Sequence, residues 1–401
     1  MVSHAGRDTT LAEIARLMEA STQNRSRYVR IADRAARLYA PAVHSLAALA
    51  VVGWLIAGVT LYEALVIGVA VLIITCPCAL GLAVPVAQVV ASGSLLRAGI
   101  MVKDGSALER LATVDRVLFD KTGTLTQGRP MPEQSMLDAL SADEARVALA
   151  LASHSRHPLS KALAQQLMLR GVTPAELAEV AEEPGLGMAG LWNGQRVELR
   201  RPEAASTSGV ALAIEGHPTK LIPFADRLRD DAKSAIAELT RLGLSGSIIS
   251  GDNEDAVSQI ARKTGLMGQA NASPADKQKT IANLQQHGAK VLMVGDGLND
   301  GPALAAADAS IAPGSASDVG MQAADFVFVQ DSLIAIPRAI RASRATMRVV
   351  RQNFALAIGY NILAVPMALL GMVTPLVAAI AMSASSLIVV ANSLRLVRAA
   401  K

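Results

Sequence analysis

Aromatic side chains are scarce in this 401-residue chain, at 3% of residues, and charged ones make up only 18%. Against 51% hydrophobic residues, that shortage of charge excludes a wholly soluble protein of ordinary composition and points to membrane segments mixed with soluble ones. Cysteine is almost absent. The two present, Cys76 and Cys78, stand one residue apart inside an apolar run. A disulfide framework is therefore excluded from the soluble parts, as expected in a reducing compartment. The first residues, MVSHAGRDTT, lack the apolar core of a secretory signal. Two long stretches are poor in charge: residues 39–96 hold no Lys or Arg, and residues 352–394 hold no charged residue at all.

The charge that is present is basic, with a net +4 and a sequence pI of about 9.2. Its placement argues against nucleic acid as the partner. Arg25, Arg27, Arg30, Arg34 and Arg37 precede the first of these stretches, and Arg97 and Lys103 follow it. Arg338, Arg341, Arg344, Arg348 and Arg351 precede the second, and Arg395, Arg398 and Lys401 close it. Each stretch is long enough for two spans of a bilayer about 30 Å thick. The spans expected are 41–59 and 64–92, then 354–371 and 375–394, with outer turns at 61–63 and 371–374. Basic flanks put both ends of each pair on the cytoplasmic side, as in a multi-pass protein of the inner (plasma) membrane.

The soluble residues divide by pattern. Residues 1–38 are polar and Arg-rich, with Leu11, Ile14, Ala15, Leu17 and Met18 at helical spacing. Between 97 and 337, short apolar strands (114–119, 247–250, 290–294) alternate with helical stretches (229–242, 277–286), which predicts a doubly wound parallel sheet. Residues 129–217 interrupt it with helices at 143–152 and 158–169 and glycine-punctuated strands at 180–194, and read as an inserted domain. The expected divisions are 1–38, 39–96, 97–128, 129–217, 218–337 and 338–401.

The stretch on which chemistry converges is Asp120-Lys121-Thr122-Gly123-Thr124-Leu125-Thr126, at the end of the first apolar strand. Ligands of open α/β sheets bind at the carboxyl ends of strands. A carboxylate held there can attack phosphorus, and amide groups of the turn can hold phosphoryl oxygens. An isolated Asp could merely cap the next element. Two further strand ends carry Ser250-Gly251-Asp252-Asn253 and Gly295-Asp296-Gly297-Leu298-Asn299-Asp300. Phosphoryl transfer needs a nucleophile, Mg²⁺ held by hard oxygens, and a cation on the phosphate. Asp296 can bind Mg²⁺ with Asp120, and Lys277 can neutralise the phosphoryl group. Taken singly, Gly-Asp-Gly is a common turn and Lys277 a solvated helix residue.

Together these strings resemble the phosphorylation domain of the P-type ATPases, whose fold is that of the haloacid dehalogenases. The resemblance implies an aspartyl phosphate on Asp120, catalytic roles for Lys121, Thr122, Ser250, Asp252 and Lys277, and Mg²⁺ held by Asp120, Thr122, Asp296 and Asp300. One departure is Ser250, where the family commonly has Thr. In the insert, His157-Pro158 is on its own a helix start, and Gly185-x-Gly187-x-x-Gly190 is on its own a weak signal. In this context they resemble the nucleotide-binding domain of heavy-metal P-type ATPases, which implies ATP bound through His157, Gly185, Gly187 and Gly190. Arg156 stands where those proteins often carry an acidic residue.

Cys76-Pro77-Cys78 lies in mid-span. Pro77 removes a helix hydrogen bond inside the bilayer, which is tolerated only where neighbours or a ligand satisfy the backbone. Thiolates beside that break form a soft site, suited to Cu(I) and also to Zn(II) or Cd(II). Cys-Pro-Cys followed by Ala-Leu-Gly-Leu-Ala-Val-Pro resembles the heavy-metal transporters. Tyr360-Asn361 and Met382-Ser383-Ala384-Ser385-Ser386 resemble the Cu(I) subgroup, implying Cys76, Cys78, Tyr360, Asn361, Met382 and Ser386 as the Cu(I) site. The Arg-rich lead-in and Arg156 resemble the bacterial subgroup linked to assembly of cbb3-type cytochrome oxidase. The fold class implied is α/β plus transmembrane α: a haloacid-dehalogenase-like phosphorylation domain with an inserted nucleotide-binding domain, flanked by two transmembrane helix pairs.

The family also has an actuator domain with a Thr-Gly-Glu loop, and no Thr-Gly-Glu occurs in this sequence. The chain therefore reads as the C-terminal part of a copper-exporting pump. The partners expected are membrane lipid, a copper-donor chaperone and a separate chain supplying the actuator. Without that domain, label on Asp120 should form and hydrolyse slowly. Two rival readings are a membrane-tethered haloacid-dehalogenase-type phosphatase and a non-catalytic metal-binding membrane protein. The phosphatase would carry a second Asp two residues after the nucleophile, where this chain has Thr122.

Overall fold

A computed structural model describes the backbone of residues 27–183, 187–202, 209–296, 298–330 and 332–400, and side chains from residue 41 onward except those of Arg129, Glu183 and Leu298. The helical reading of residues 1–26 lies outside these. In chain order the helices and strands are α1 (Arg27–Ile56), α2 (Leu61–Ile74), α3 (Cys78–Leu82), α4 (Pro85–Arg97), β1 (Ile100–Val102), α5 (Gly105–Ala112) and β2 (Arg116–Phe119). Then follow β3 (Thr126–Pro132), α6 (Gln134–Asp138), α7 (Ala142–His154), α8 (Pro158–Leu169), β4 (Ala178–Glu183), β5 (Gly187–Trp192), β6 (Gln195–Arg200), β7 (Gly209–Ile214) and β8 (Lys220–Leu228). The chain continues through α9 (Ala232–Arg241), β9 (Ser245–Ile249), α10 (Glu254–Thr264), β10 (Met267–Gln269), α11 (Pro274–Gln286), β11 (Val291–Val294) and α12 (Gly301–Ala306). It closes with β12 (Ala309–Pro313), α13 (Asp318–Ala323), β13 (Phe326–Phe328), α14 (Ala335–Leu369) and α15 (Pro375–Leu394).

Two compact units emerge: Met1–Leu118 with Lys233–Gly246 and Ser273–Lys401, and Phe119–Ala232 with Ser247–Ala272. The chain passes from one to the other inside β2 and again inside β9.

In the first unit the strands lie in the order β1-β13-β12-β11-β2. β11 pairs with β12, and β12 with β13, in parallel; β1 closes the edge antiparallel to β13. All residues of β11, β12 and β13 are buried, the pattern of strands covered on both faces. The α/β reading of this region therefore holds.

The membrane part of the first unit is helical. Leu61–Arg97, Ala335–Leu369 and Pro375–Arg398 are long and apolar enough to cross a bilayer, and Pro41–Ile56 forms a shorter apolar helix. Helix starts are written in the sequence. Thr60 and Glu63 form a capping box on α2, and Thr374 caps α15 with Pro375 in its first turn. Small residues bring these helices close. A Cβ on Gly68 would stand 2.4 Å from Val51 Cγ2, and Ala79, Ala83, Ala357 and Val389 form one buried cluster. Leu363, Ile380 and Leu387 on the same helices stay exposed, as lipid-facing side chains do.

The second unit contains the insert. Its six strands run in the order β3-β8-β7-β6-β5-β4, every pair antiparallel. The sheet begins at Thr126 and ends at Leu228, wider than the 129–217 read from pattern, because β3 and β8 pair at its foot. Asn193-Gly194, both with positive φ, turn β5 into β6 as a two-residue hairpin. α7 and α8 supply Leu149, Leu151, Leu163 and Leu167 to a core shared with Val197, Leu212 and Ile222 of the sheet. β9 and β10 pair in parallel in the same unit.

Candidate functional site

In the second unit, Asp120 follows β2 immediately and is 5% exposed. One carboxylate oxygen accepts the amide of Thr122 at 2.9 Å, so the turn is drawn back against the strand end. The reversal needs Gly123, which sits at φ +70°, a conformation that costs side-chain-bearing residues energy. Thr126 Oγ1 donates to the Lys121 carbonyl at 2.9 Å and also to Asp226. Thr124 Oγ1 is enclosed and has no hydrogen-bond partner among the described residues. A buried hydroxyl in that state is suited to a phosphoryl oxygen.

Asp252 completes this arrangement. A single oxygen, Oδ2, accepts from Lys121 Nζ at 2.8 Å, Thr122 Oγ1 at 2.9 Å and Ser250 Oγ at 3.2 Å. Burial alone would raise its pKa, but the Lys121 ammonium with the two hydroxyls holds it below the usual carboxylate value. Lys121, Thr122, Ser250 and Asp252, singled out from sequence, are thus brought together.

Two residues that sequence reasoning passed over hold the turn from behind. Arg229 is 4% exposed; its Nε donates to the Thr124 carbonyl at 2.7 Å and its Nη2 to the Gly123 carbonyl at 2.8 Å. Asp226 accepts from Thr126. Both sit about a hundred residues from the turn, across the insert. The charges Asp226, Arg227 and Arg229 set against the apolar residues of one strand end were the only signal available.

In the first unit, Asp296 and Asp300 follow β11, and each offers one carboxylate oxygen within 4.8 Å of the other's. Two hard oxygen donors at that spacing fit Mg²⁺. Gly295 is required here, since its Cβ would lie 3.0 Å from Asp300. Gly320, which the sequence reading missed, is required by a close approach of the Asp296 carbonyl, 2.9 Å from where its Cβ would be. Lys277, in the first turns of α11, donates to Asp300 Oδ1 at 2.6 Å, and both side chains are almost wholly buried. The capping box of Ser273 and Asp276 starts α11 and fixes the phase that turns Lys277 inward. Lys277 therefore holds a carboxylate of the metal site. Gly297, between the two, lies outside the described residues.

The nucleotide candidates divide. His157 is exposed and caps α8 through Nδ1, which accepts the Leu159 amide at 3.3 Å. Nδ1 is thus occupied as an acceptor, and Nε2 is the ring nitrogen left for an outward contact. Gly187 opens β5, where a Cβ would stand 2.2 Å from the Leu199 carbonyl of β6. Gly190 lies within β5 opposite Val197. Cross-strand packing alone thus explains Gly187. Gly185 lies outside the described residues.

The membrane candidate is built around the break that Pro77 was expected to cause. α2 ends at Ile74 and α3 begins at Cys78. Thr75 Oγ1 donates to the Val71 carbonyl at 2.6 Å, and the Cys76 amide to Ile73 at 3.2 Å, so the interrupted backbone is satisfied locally. The two sulfurs of Cys76 and Cys78 are joined in a disulfide. Only the reduced, deprotonated pair offers metal ligands. Tyr360 packs against the cluster that holds Val71 and Ile74. Asn361 Oδ1 is enclosed with no hydrogen-bond partner among the described residues, the condition of an acceptor that a ligand satisfies. Met382 and Ser386 lie four residues apart on α15, hence on one face, both half-buried.

Comparisons with known proteins agree with this architecture. A family model for haloacid dehalogenase-like hydrolases matches residues 114–308. Nitrogen fixation protein FixI of Rhizobium meliloti is 48% identical over 98% of this chain and 53% of its own length. A copper-exporting P-type ATPase of Mycobacterium tuberculosis is 39% identical over 98% of this chain and 54% of its own. The chain thus spans about half the length of the curated relatives it matches. The crystal structure of a zinc-transporting PIB-type ATPase in the E2.Pi state superposes with a TM-score of 0.85, at 32% identity, covering 98% of this chain and 68% of that one.

Proposed function

The chain belongs to the PIB-type P-type ATPases, and on that premise we propose that it drives Cu(I) across a membrane through an aspartyl phosphate on Asp120. The observation that carries the reading is the strand-end turn itself. The Asp120 carboxylate is buried and accepts the Thr122 amide, and the enclosed hydroxyl of Thr124 in the same turn has no hydrogen-bond partner among the described residues.

Asp120 attacks the γ-phosphorus of ATP, and ADP leaves. Asp296 and Asp300, with Asp120 and Thr122, would hold Mg²⁺, which would supply positive charge against the phosphates. Lys277 holds Asp300 in place through its bond to Oδ1. Lys121, Thr122 and Ser250 hold Asp252, which keeps the turn in one conformation. Thr122 replaces the carboxylate that a phosphatase of this fold would use as acid and base, which favours a lasting phosphoenzyme. ATP is assigned to His157, Gly185 and Gly190, while the approach of Gly187 to the Leu199 carbonyl leaves that glycine a packing role. The soluble parts face the cytoplasm of an inner-membrane protein, and a copper-donor chaperone and a chain bearing an actuator domain are the partners proposed.

The metal is argued from ligand chemistry. Reduced Cys76 and Cys78, Met382, Asn361, Tyr360 and Ser386 form a soft, uncharged set, and residues 352–394 contain no charged side chain for a divalent ion. The relatives' names point both ways, to copper and to zinc.

The test is phosphorylation by γ-labelled ATP after reduction of the thiols, with Cu(I) or Zn(II) added. Cu(I) should raise the acid-stable, hydroxylamine-labile label, and Cys76→Ser should abolish that rise. Stimulation by Zn(II) alone contradicts the copper assignment.

A further inference from the structure

One buried amide in the membrane part is left unused by this account. Asn353, at the start of the uncharged part of α14, has no exposed surface. Burying an unpaired amide there would be costly, yet every polar atom of this side chain is engaged. Nδ2 donates to the Ala83 carbonyl at 3.2 Å and to Ser393 Oγ at 2.9 Å, while Oδ1 accepts from Asn392 Nδ2 at 2.9 Å. Ser393 is itself fully buried and donates onward to the Val389 carbonyl at 2.9 Å. Three helical segments meet on one side chain.

The position of Ala83 gives the contact its meaning. Ala83 lies between α3 and α4, five residues beyond Cys78, in the part of the span that Pro77 and Pro85 interrupt. Backbone groups at such breaks need partners from outside the helix's own ladder, and the Asn353 amide supplies one to the Ala83 carbonyl.

The same helix is anchored at its other end to the phosphorylation sheet. Nine residues before Asn353, Arg344 donates from Nη1 to the Leu242 carbonyl at 2.7 Å and from Nη2 to the Val114 carbonyl at 3.3 Å. Arg341 pairs with Glu238 of α9. Val114 opens the apolar run that becomes β2 and ends on Asp120. Between Arg344 and Asn353 the helix is unbroken and holds neither Pro nor Gly, so it acts as a rod of about 13 Å at 1.5 Å per residue. A displacement of the Cys76–Ala83 segment would reach Asn353 through the Ala83 contact and, along the rod, the entry of β2.

We propose that Asn353 is a positioning residue that couples occupancy of the Cys76-Pro77-Cys78 site to phosphorylation of Asp120. This inference rests on the reading under the previous heading. It goes further in naming the contact through which the two sites sense each other.

The test uses the full chain in membranes or detergent, with thiols reduced. Two quantities are read for each variant: Cu(I) affinity by chelator competition without nucleotide, and the ratio of ATP-derived label with and without Cu(I). If wild-type label does not respond to Cu(I), the underlying functional reading fails, whatever Asn353 does. Given a wild-type response, Asn353→Ala should bind Cu(I) within about threefold of wild type and keep its unstimulated label, yet lose about tenfold in stimulation, a coupling of ordinary size. Asn353→Leu, close in shape and suited to an apolar span, should behave the same way and guards against misfolding of the alanine variant. Ser393→Ala leaves the Ala83 contact in place and should keep the stimulation. A polar clamp with a purely structural role would lower affinity and stimulation in proportion. That result, or full stimulation in Asn353→Leu, overturns the proposal.

Discussion

At the scale of residues, the account turns on groups that hold the Asp120 turn rather than on Asp120 alone. Arg229 satisfies two buried carbonyls with one guanidinium. Arg229→Ala strands both acceptors, and a charge-assisted bond is worth about 1.5–3 kcal/mol. Chemical denaturation should report a loss of about 3 kcal/mol, and Arg229→Lys should recover little because an ammonium cannot span both carbonyls. A change near zero would mean the turn is held elsewhere. Asp252 gives a prediction in pH. Its folded pKa lies below the unfolded value, because the Lys121 ammonium and two hydroxyls outweigh burial. The stabilisation is therefore complete above the unfolded carboxylate pKa of about 3.9, and is lost as pH falls through the lower folded value. The gap in melting temperature between wild type and Asp252→Asn should stay constant from about pH 6 to 8 and close only below about pH 4. A gap that closes near neutrality would show that another group is titrating.

At the scale of elements, what the sequence disclosed and what it hid divide along contact distance. The strand ending at Asp120, the break at Pro77 and the start of α8 at Pro158 were legible because each is encoded by neighbours in the chain. Arg229, Gly320 and Asn353 were not, because their roles arise from partners brought near only by the fold. Lys277 was legible as a functional residue, but its bond to Asp300 was not. Gly187 looked like a ligand-facing glycine, and a β-sheet approach to Leu199 accounts for it. The membrane helices yield their own prediction. With basic residues at both flanks of each pair, reporters fused at Glu63 and at Val373 should both read as outside. An inside signal at either position would contradict the four-span arrangement, in which the apolar part of α1, Pro41–Ile56, is the shortest span.

At the scale of the whole molecule, the chain separates its tasks. A soft-metal candidate sits at a helix break among membrane spans, and hard-oxygen and carboxylate chemistry sits at strand ends of the α/β part. The central claim is that the two are joined by a phosphoryl group carried on one residue. The most direct measurement is to expose the chain to γ-labelled ATP with Mg²⁺ and reduced thiols, quench in acid, digest, and locate the label by mass spectrometry. The account predicts hydroxylamine-labile label confined to the peptide that contains Asp120, and none in Asp120→Asn. Label that survives in Asp120→Asn, or that maps to any other residue of the wild-type chain, would contradict it.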